Sequence, residues 1–277
     1  MTTTIMGERA STKKRTAFGP LLAQWRKTRS MSQLDLALEA SVSPRHVCFL
    51  ETGRAKPSRD MVLHLADALT VPLRERNALL LAAGFAPMFR ESKLEDPEVA
   101  SVRSALDAIL KQQEPFPAVV MNRSWDIVGA NASAMRFFDL MLDGRKPRGA
   151  PNVLRLMFDP NGLRPAVTNW DAVARALIQR LHREAVEGIL EPAARQLLKE
   201  LFEFPDVPSH WRVPDFESSL LPVLPICFRH ETQEFRFFSA VTVFGTPQDI
   251  TTQELRIECF FPVDEKTRAA AKRLARA

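Results

Sequence analysis

The feature that most constrains this chain is the punctuation between residues 18 and 84. Ser32 precedes "QLDLALE", Ser43 and Pro44 open "RHVCFLE", Gly53 follows it, Ser58 precedes "RDMVLHLADAL", and Gly84 closes "LRERNALLLAA". A serine oxygen at a helix start accepts an orphan N–H, proline costs nothing at the first helical position, and glycine suits the position just past a helix end. Between these marks apolar residues recur at helical spacing, as in Phe18, Leu21, Leu22 and Trp25, or Met61, Leu65 and Leu69. The pattern predicts an all-α segment of five short helices. On the second, Leu34, Ala37 and Leu38 are expected to face inward; on the third, Val47 and Leu50 are the anchors.

The second and third helices, joined by only a few residues, have the layout of a helix-turn-helix. Small Ala37 lets the two approach. With Val47 and Leu50 turned inward, the residues left outward on the third helix are Pro44, Arg45, His46 and Phe49. They lie at the end that reaches base edges when such a helix enters a major groove. Charge placement agrees. Residues 1 to 91 carry 14 Lys/Arg against 8 Asp/Glu, whereas residues 92 to 277 carry 24 against 25. All of the excess positive charge lies in the first third, which points to a nucleic-acid-facing segment joined to a nearly neutral one.

"SQLDLALEASVSPRHVCFLETG" resembles the phage-repressor/Cro (xenobiotic-response-element) class of helix-turn-helix domains, with Gln33, Ala37, Val42, Val47, Leu50 and Glu51 where that motif has them. The run from Arg45 to Pro87 is closer still to the subgroup that carries an MmyB-like ligand-binding domain. Ser41 stands where that family usually has glycine, at a turn position that often takes positive φ and costs another residue about 1 kcal/mol. The resemblance implies a double-stranded operator bound by a homodimer, and it implies roles. Gln33 contacts a phosphate from the start of the second helix, and Ser43 caps the third. Arg45 makes a bidentate contact to guanine, His46 meets a base edge or phosphate, and Pro44 or Phe49 meets a thymine methyl. Phe49 has a second option, packing under the following loop. Arg54, Lys56 and Arg59 hold the backbone, adding affinity without sequence information.

The stretch "APMFRESKLEDPE" marks a boundary. The expected division is a flexible basic arm at 1–17, the helix-turn-helix domain at 18–88, a linker at 89–97 and a second domain at 98–277. That domain opens with a helix through "EVASVRSALDAILKQQ". Ala118 to Met121 and Trp125 to Gly129 follow as strands, then a helix carrying Met135, Phe137 and Phe138. From about 150 to 205 the pattern is helical, with Trp170, Val173, Leu177 and Leu181 on one face. Three strands follow, in "LPICFRH", "EFRFFSAVTVF" and "ELRIECFFPVD". In the last, Leu255, Ile257, Cys259 and Phe261 alternate with Arg256 and Glu258, the signature of a half-buried strand. A basic helix ends the chain. The expected fold is α+β, one five-stranded antiparallel sheet with a helical insertion.

"PAVVMNRSWDIVGAN", "NVLRLMFDP", "NWDAVARALIQRL" and "FSAVTVFGTPQDITTQELRIECFFP" resemble the MmyB-like ligand-binding domain, a PAS-like fold. Ala130 stands where that family commonly has tryptophan before its asparagine. The resemblance implies a cavity between sheet and helices, lined by Trp125, Phe137, Phe138, Phe158, Trp170, Phe237 and Val241. Asn131, Asn152 and Arg155 would orient a polar head, and the implied ligand is amphipathic, such as a fatty acid with its carboxylate on Arg155. The alternative is a ligand-free dimerisation or protein-interaction module. A closed core would favour that module, and a cavity of several hundred Å³ the sensor.

Other classes find no support in the residues. There is no glycine-rich phosphate loop, no H-E-x-x-H and no G-x-S-x-G. His182, Glu184 and Glu187 are not spaced to share one helical face for a metal. Cys48, Cys227 and Cys259 form neither a metal signature nor a disulfide framework. The longest apolar run, "NALLLAAGFAPMF", is short of the roughly 18 residues that span a bilayer. The first residues lack the apolar core of a secretory signal. A reduced, cytosolic, non-enzymatic regulator without a cofactor is expected.

Overall fold

The computed structural model describes residues 17–147, 149–187, 192–213 and 223–276. Residues 1–16 of the expected arm lie outside the described residues. The chain divides into two units, Met1–Phe89 and Arg90–Ala277.

The first unit consists of α1 (Phe18–Thr28), α2 (Gln33–Glu39), α3 (Pro44–Glu51), α4 (Arg59–Ala68) and α5 (Leu73–Ala83). The serine side chains cap as their positions predict. Ser32 accepts from the amide of Asp35, Ser43 from that of His46 and Ser58 from that of Met61. Trp25, Leu36, Val47, Leu50, Leu65 and Leu80 fill the core. One expectation fails on α2. Leu36, Ala37 and the following Ala40 are buried, while Leu34 and Leu38 are 54% and 70% exposed. In a helix of seven residues the row through positions 33, 36, 37 and 40 meets α3 and α4, and the 34/38 row turns to solvent.

Helix ends in this unit share one device. After α2, Ser41 N–H donates to Leu38 O and Val42 N–H to Ala37 O, with Ser41 at φ 49°. The same paired bonds close α1 at Ser30 (φ 55°) and α4 at Thr70 (φ 47°). Left-handed backbone suits glycine here, yet three of these turns carry hydroxyl residues.

The second unit has α6 (Ala100–Gln113), β1 (Ala118–Met121), β2 (Ile127–Ala130), α7 (Ala132–Leu142) and α8 (Val153–Phe158). There follow α9 (Trp170–Glu187), α10 (Pro192–Leu201), β3 (Ile226–His230), β4 (Gln233–Thr242), α11 (Ile250–Glu254), β5 (Arg256–Pro262) and α12 (Glu265–Leu274). The strands form one antiparallel sheet in the order β2-β1-β5-β4-β3. Asn122 makes the β1–β2 turn by accepting from the amides of Ser124 and Asp126. Trp125 belongs to this turn, at φ 67°, so β2 starts at Ile127 rather than at Trp125. Both sheet edges are blocked. Ile127 N–H donates to Pro151 O beside β2, and Thr168 N–H donates to Cys227 O on β3.

Val119, Met121, Phe235 and Phe237 face a core shared with α7, α8, α9, α10 and α12. Ala118, Val120, Ile257 and Cys259 face Leu106 and Leu110 of α6. This two-sided cover corrects the half-buried reading of β5. The strand is central, and Glu258 is buried along with its apolar neighbours. The stretch expected as a linker is bonded into this unit from Arg90 on. Arg90 O accepts from Ile250 N–H, and Ser92 N–H donates to Asp249.

Candidate functional site

α3 presents its leading edge because its trailing edge is held from three sides. Val47 and Leu50 plug the core. Arg26 of α1 grips Glu51 at 2.7 and 3.0 Å, and Gln33 of α2 donates to the same carboxylate at 2.6 Å. The ion pair is largely buried, with side chains 11% and 7% exposed. Its hydrogen bond makes Arg26 hold its proton more firmly than an ordinary guanidinium, against the opposing effect of burial. α1 crosses so closely that a Cβ on Gly19 would fall 2.4 Å from Glu51 O. Glu51 therefore fixes the pose of α3, a role that the sequence pattern signals only as a motif position.

With that scaffold set, Ser43, Pro44 and Arg45 are exposed at the N-terminus of α3, and His46 is half-buried. Phe49 is half-buried too. The guanidinium carbons of Arg45 and Arg54 lie 5.1 and 5.8 Å from its ring centroid. The Phe49 ring thus lies within reach of two cations, while its carbonyl accepts from the loop amides of Arg54 and Ala55. Arg54, Lys56 and Arg59 are exposed just beyond α3. The structure places the nine nucleic-acid candidates at the start of α2, on α3 and its cap, in the loop after α3 and, for Arg59, at the start of α4, with Gln33 already engaged by Glu51. Such a surface can offer donors to base edges and cations to phosphates.

The expected ligand-lining residues of the second unit separate into three groups. Trp125, Phe137, Phe158 and Phe237 are core, each at most 3% exposed, and Phe137 meets Phe237 edge-on at 5.5 Å. Trp170 packs against Phe158 at 5.6 Å and donates to Met157 O. Val241 does not join them. It is 40% exposed near the end of β4, where the strand runs past its cover. Asn131 and Asn152 are buried and fully used. Asn131 caps α7 and donates to Leu110 O and Phe116 O; Asn152 caps α8 and donates to Ser124 O and Asp126.

Phe138, Asn152 and Arg155 do converge. With Ile127, Ala130, Met135, Leu142, Pro147, Pro151 and Leu156 they line a mainly apolar pocket of about 220 Å³. Arg155 and Gly149 also border a wider, open cleft of about 560 Å³ with Asp159, Glu200, Glu203 and Phe204. Arg155 stands where the two meet. Its guanidinium is held by Glu200 of α10 at 2.8 and 3.1 Å, with Asp126 at 3.9 Å. The arrangement can accept an apolar body with a polar end, provided the end competes with Glu200. Sequence reasoning missed Ile127, Met135 and Glu200 as lining, and marked Ala130 only as standing where the family commonly has tryptophan. In the structure Met135 stands out as apolar yet 54% exposed on α7.

On the sheet face beneath α9, a second polar cluster is closed. Trp125 Nε1 donates to Glu184 at 3.0 Å, Arg256 reaches Glu184 at 2.7 Å, and the Arg180 guanidinium carbon lies 4.5 Å from the Trp125 ring centroid. Burial pushes the neighbouring Glu258 carboxyl above the usual range, outweighing Ser239 and Arg180. Among the described residues no group of His, Cys, Asp or Glu could hold a metal ion, and no helix is long and apolar enough to cross a membrane.

Residues 102–274 match the family model of the MmyB-like transcription regulator ligand binding domain. Residues 17–79 match a helix-turn-helix domain. Neither is a family of enzymes. No curated protein matches the chain.

Proposed function

Because the chain belongs to the MmyB-like transcription regulators, we propose that it reads a specific operator with α3 and tunes that reading by binding a fatty-acid-like amphiphile in its C-terminal unit. It acts in the cytoplasm as a homodimer on a two-fold operator, the usual arrangement for such a helix. Arg45 reads guanine, with His46, Pro44 and Phe49 beside it. Arg54, Lys56, Arg59, Ser43 and Gln33 fix the register on phosphates.

The observation that carries the sensor reading is the meeting of an apolar pocket and a polar cleft at Arg155. The apolar pocket is smaller than the roughly 300 to 1,000 Å³ of typical ligand sites, so it takes the chain end and the cleft takes the head. A carboxylate head replaces Glu200 on Arg155, one anion for another, while each buried methylene contributes about 0.8 kcal/mol. Ligand release of Glu200 also breaks the ion pair that links α10 to α8. A ligand changes operator affinity only through such a difference between two arrangements.

Thermal-shift titration with fatty acids of graded length, beside mass spectrometry of the gently denatured protein, tests this reading. The expected result is a shift that grows with chain length and disappears in Ala130→Trp, whose ring fills the pocket. No co-purifying lipid and no shift with any fatty acid would overturn the sensor in favour of a dimerisation or protein-interaction module.

A further inference from the structure

The C-terminal unit divides its charge unevenly. Residues 92 to 265 carry 19 Lys/Arg against 25 Asp/Glu, whereas residues 266 to 277 carry 5 against none. Those cations are Lys266, Arg268, Lys272, Arg273 and Arg276, on α12 and just past its end. α12 has a firm seat. Thr267, Ala270 and Ala271 are buried against the sheet, Asp264 caps the first turn, and Thr267 Oγ1 accepts from Arg236 N–H of β4. At 3.6 residues per turn, Lys266, Ala269, Lys272, Arg273 and Arg276 then share the opposite, exposed side. Alanine in the middle of the stripe leaves its surface low enough for close approach.

Ordinary helix stabilisation does not account for the stripe. Cations in a last turn complement the helix dipole, but Lys266 stands in the first turn, where the dipole disfavours it. Among the described residues Lys272 and Arg276 have no ion-pair partner. Arg268, by contrast, is held by Glu265 at 3.0 Å.

We propose that α12 is a second nucleic-acid contact, gripping the phosphates of duplex DNA without reading sequence. The inference rests on the assignment of α3 as a DNA reader. A grip too weak to act alone matters here, because a tether to the reader raises the effective DNA concentration to about the millimolar range. The acidic remainder of the unit repels a polyanion, so the stripe is where phosphate can approach.

The test titrates the full chain against a mixed-sequence duplex of about 40 base pairs while KCl rises from roughly 50 to 200 mM. In the triple variant Lys266→Gln, Lys272→Gln, Arg273→Gln, the slope of log affinity against log salt becomes shallower by about 2 to 3, at about 0.9 per phosphate, and low-salt affinity falls about 10-fold or more. The charge-retaining set Lys266→Arg, Lys272→Arg, Arg273→Lys keeps the wild-type slope. An unchanged slope in the glutamine variant overturns the proposal, as does an equal loss in both sets. Loss of binding to phosphatidylserine vesicles with the DNA slope intact assigns the stripe to a lipid surface instead. If the wild-type chain binds no duplex, the α3 reading falls too; binding with an α12-independent slope removes α12 alone.

Discussion

The two units treat their charges in opposite ways. On and just after α3, Arg45, Arg54, Lys56 and Arg59 are exposed and, among the described residues, have no ion-pair partner. In the C-terminal unit, charges are consumed both at the cavities, where Glu200 holds Arg155, and in the closed cluster beneath α9, where Glu184 holds Arg256 and accepts from Trp125. The first surface is ready for a polyanion and needs nothing removed. On the proposed reading the second would respond only to a molecule that displaces a resident partner, which is what a sensor requires if it is to stay silent without ligand. The N-terminal unit has consumed pairs too, Arg76–Asp67 and Arg26–Glu51, and the second of these sets the pose of α3.

The contrast can be broken most severely at that pair. Glu51→Ala leaves Arg26 largely buried and unpaired, and should cost the N-terminal unit about 3 kcal/mol in denaturant unfolding. A loss near zero would mean that α3 is posed by apolar contacts alone. Next is Glu258→Gln. Its carboxyl titrates above an ordinary glutamate because burial outweighs Ser239 and Arg180. The folded state therefore binds the proton more tightly, so its contribution is complete below the unfolded pKa, about 4.3, and fades as pH rises through the raised folded value. Glutamine should flatten that decline in melts across pH and stabilise the protein near neutrality by roughly 1 kcal/mol. A wild-type melting point that rises with pH in that window would reverse the sign of the account.

Glu200→Gln sharpens the displacement idea. It releases Arg155 from a half-exposed pair, so calorimetry should find fatty-acid affinity up by about 1 kcal/mol, roughly five-fold. Weaker binding would show that Glu200 helps to hold the ligand rather than competing with it. The smallest effects belong to the left-handed helix ends. Thr70→Gly should add about 0.5 kcal/mol of stability and Ser41→Gly less, since a β-branched residue tolerates positive φ least. Destabilisation by either change would mean that the unfolded-state entropy of glycine outweighs the relief of strain.

What the sequence disclosed follows the range of the interactions. Serine caps, Pro44 and the spacing of Val47 and Leu50 act within one helical turn, so the five helices and the outward face of α3 were legible before any fold was known. The inner row of α2 was not. Leu34, Leu36, Ala37 and Leu38 allow more than one apolar stripe in so short a helix, and only its neighbours decide. The C-terminal site depends on partners far apart: Arg155 and Glu200 are 45 positions apart, Arg256 and Glu184 72. No periodicity encodes such pairs. Aromatic residues chosen as lining became core for the same reason, because which face of the sheet is covered depends on strand order. Glu258 shows this most plainly. Alternation read one wet side for β5, and the central position of the strand buried both.

The central claim is that α3 reads DNA through its exposed leading edge, and Arg45 tests it most directly. Duplexes selected from a random-sequence pool by the full chain supply an operator, and fluorescence anisotropy then compares wild type with Arg45→Ala. The account predicts a loss of about 1 to 3 kcal/mol, roughly 5- to 150-fold, concentrated at guanine positions and accompanied by relaxed discrimination there. Equal affinity and unchanged base preference in Arg45→Ala would contradict it.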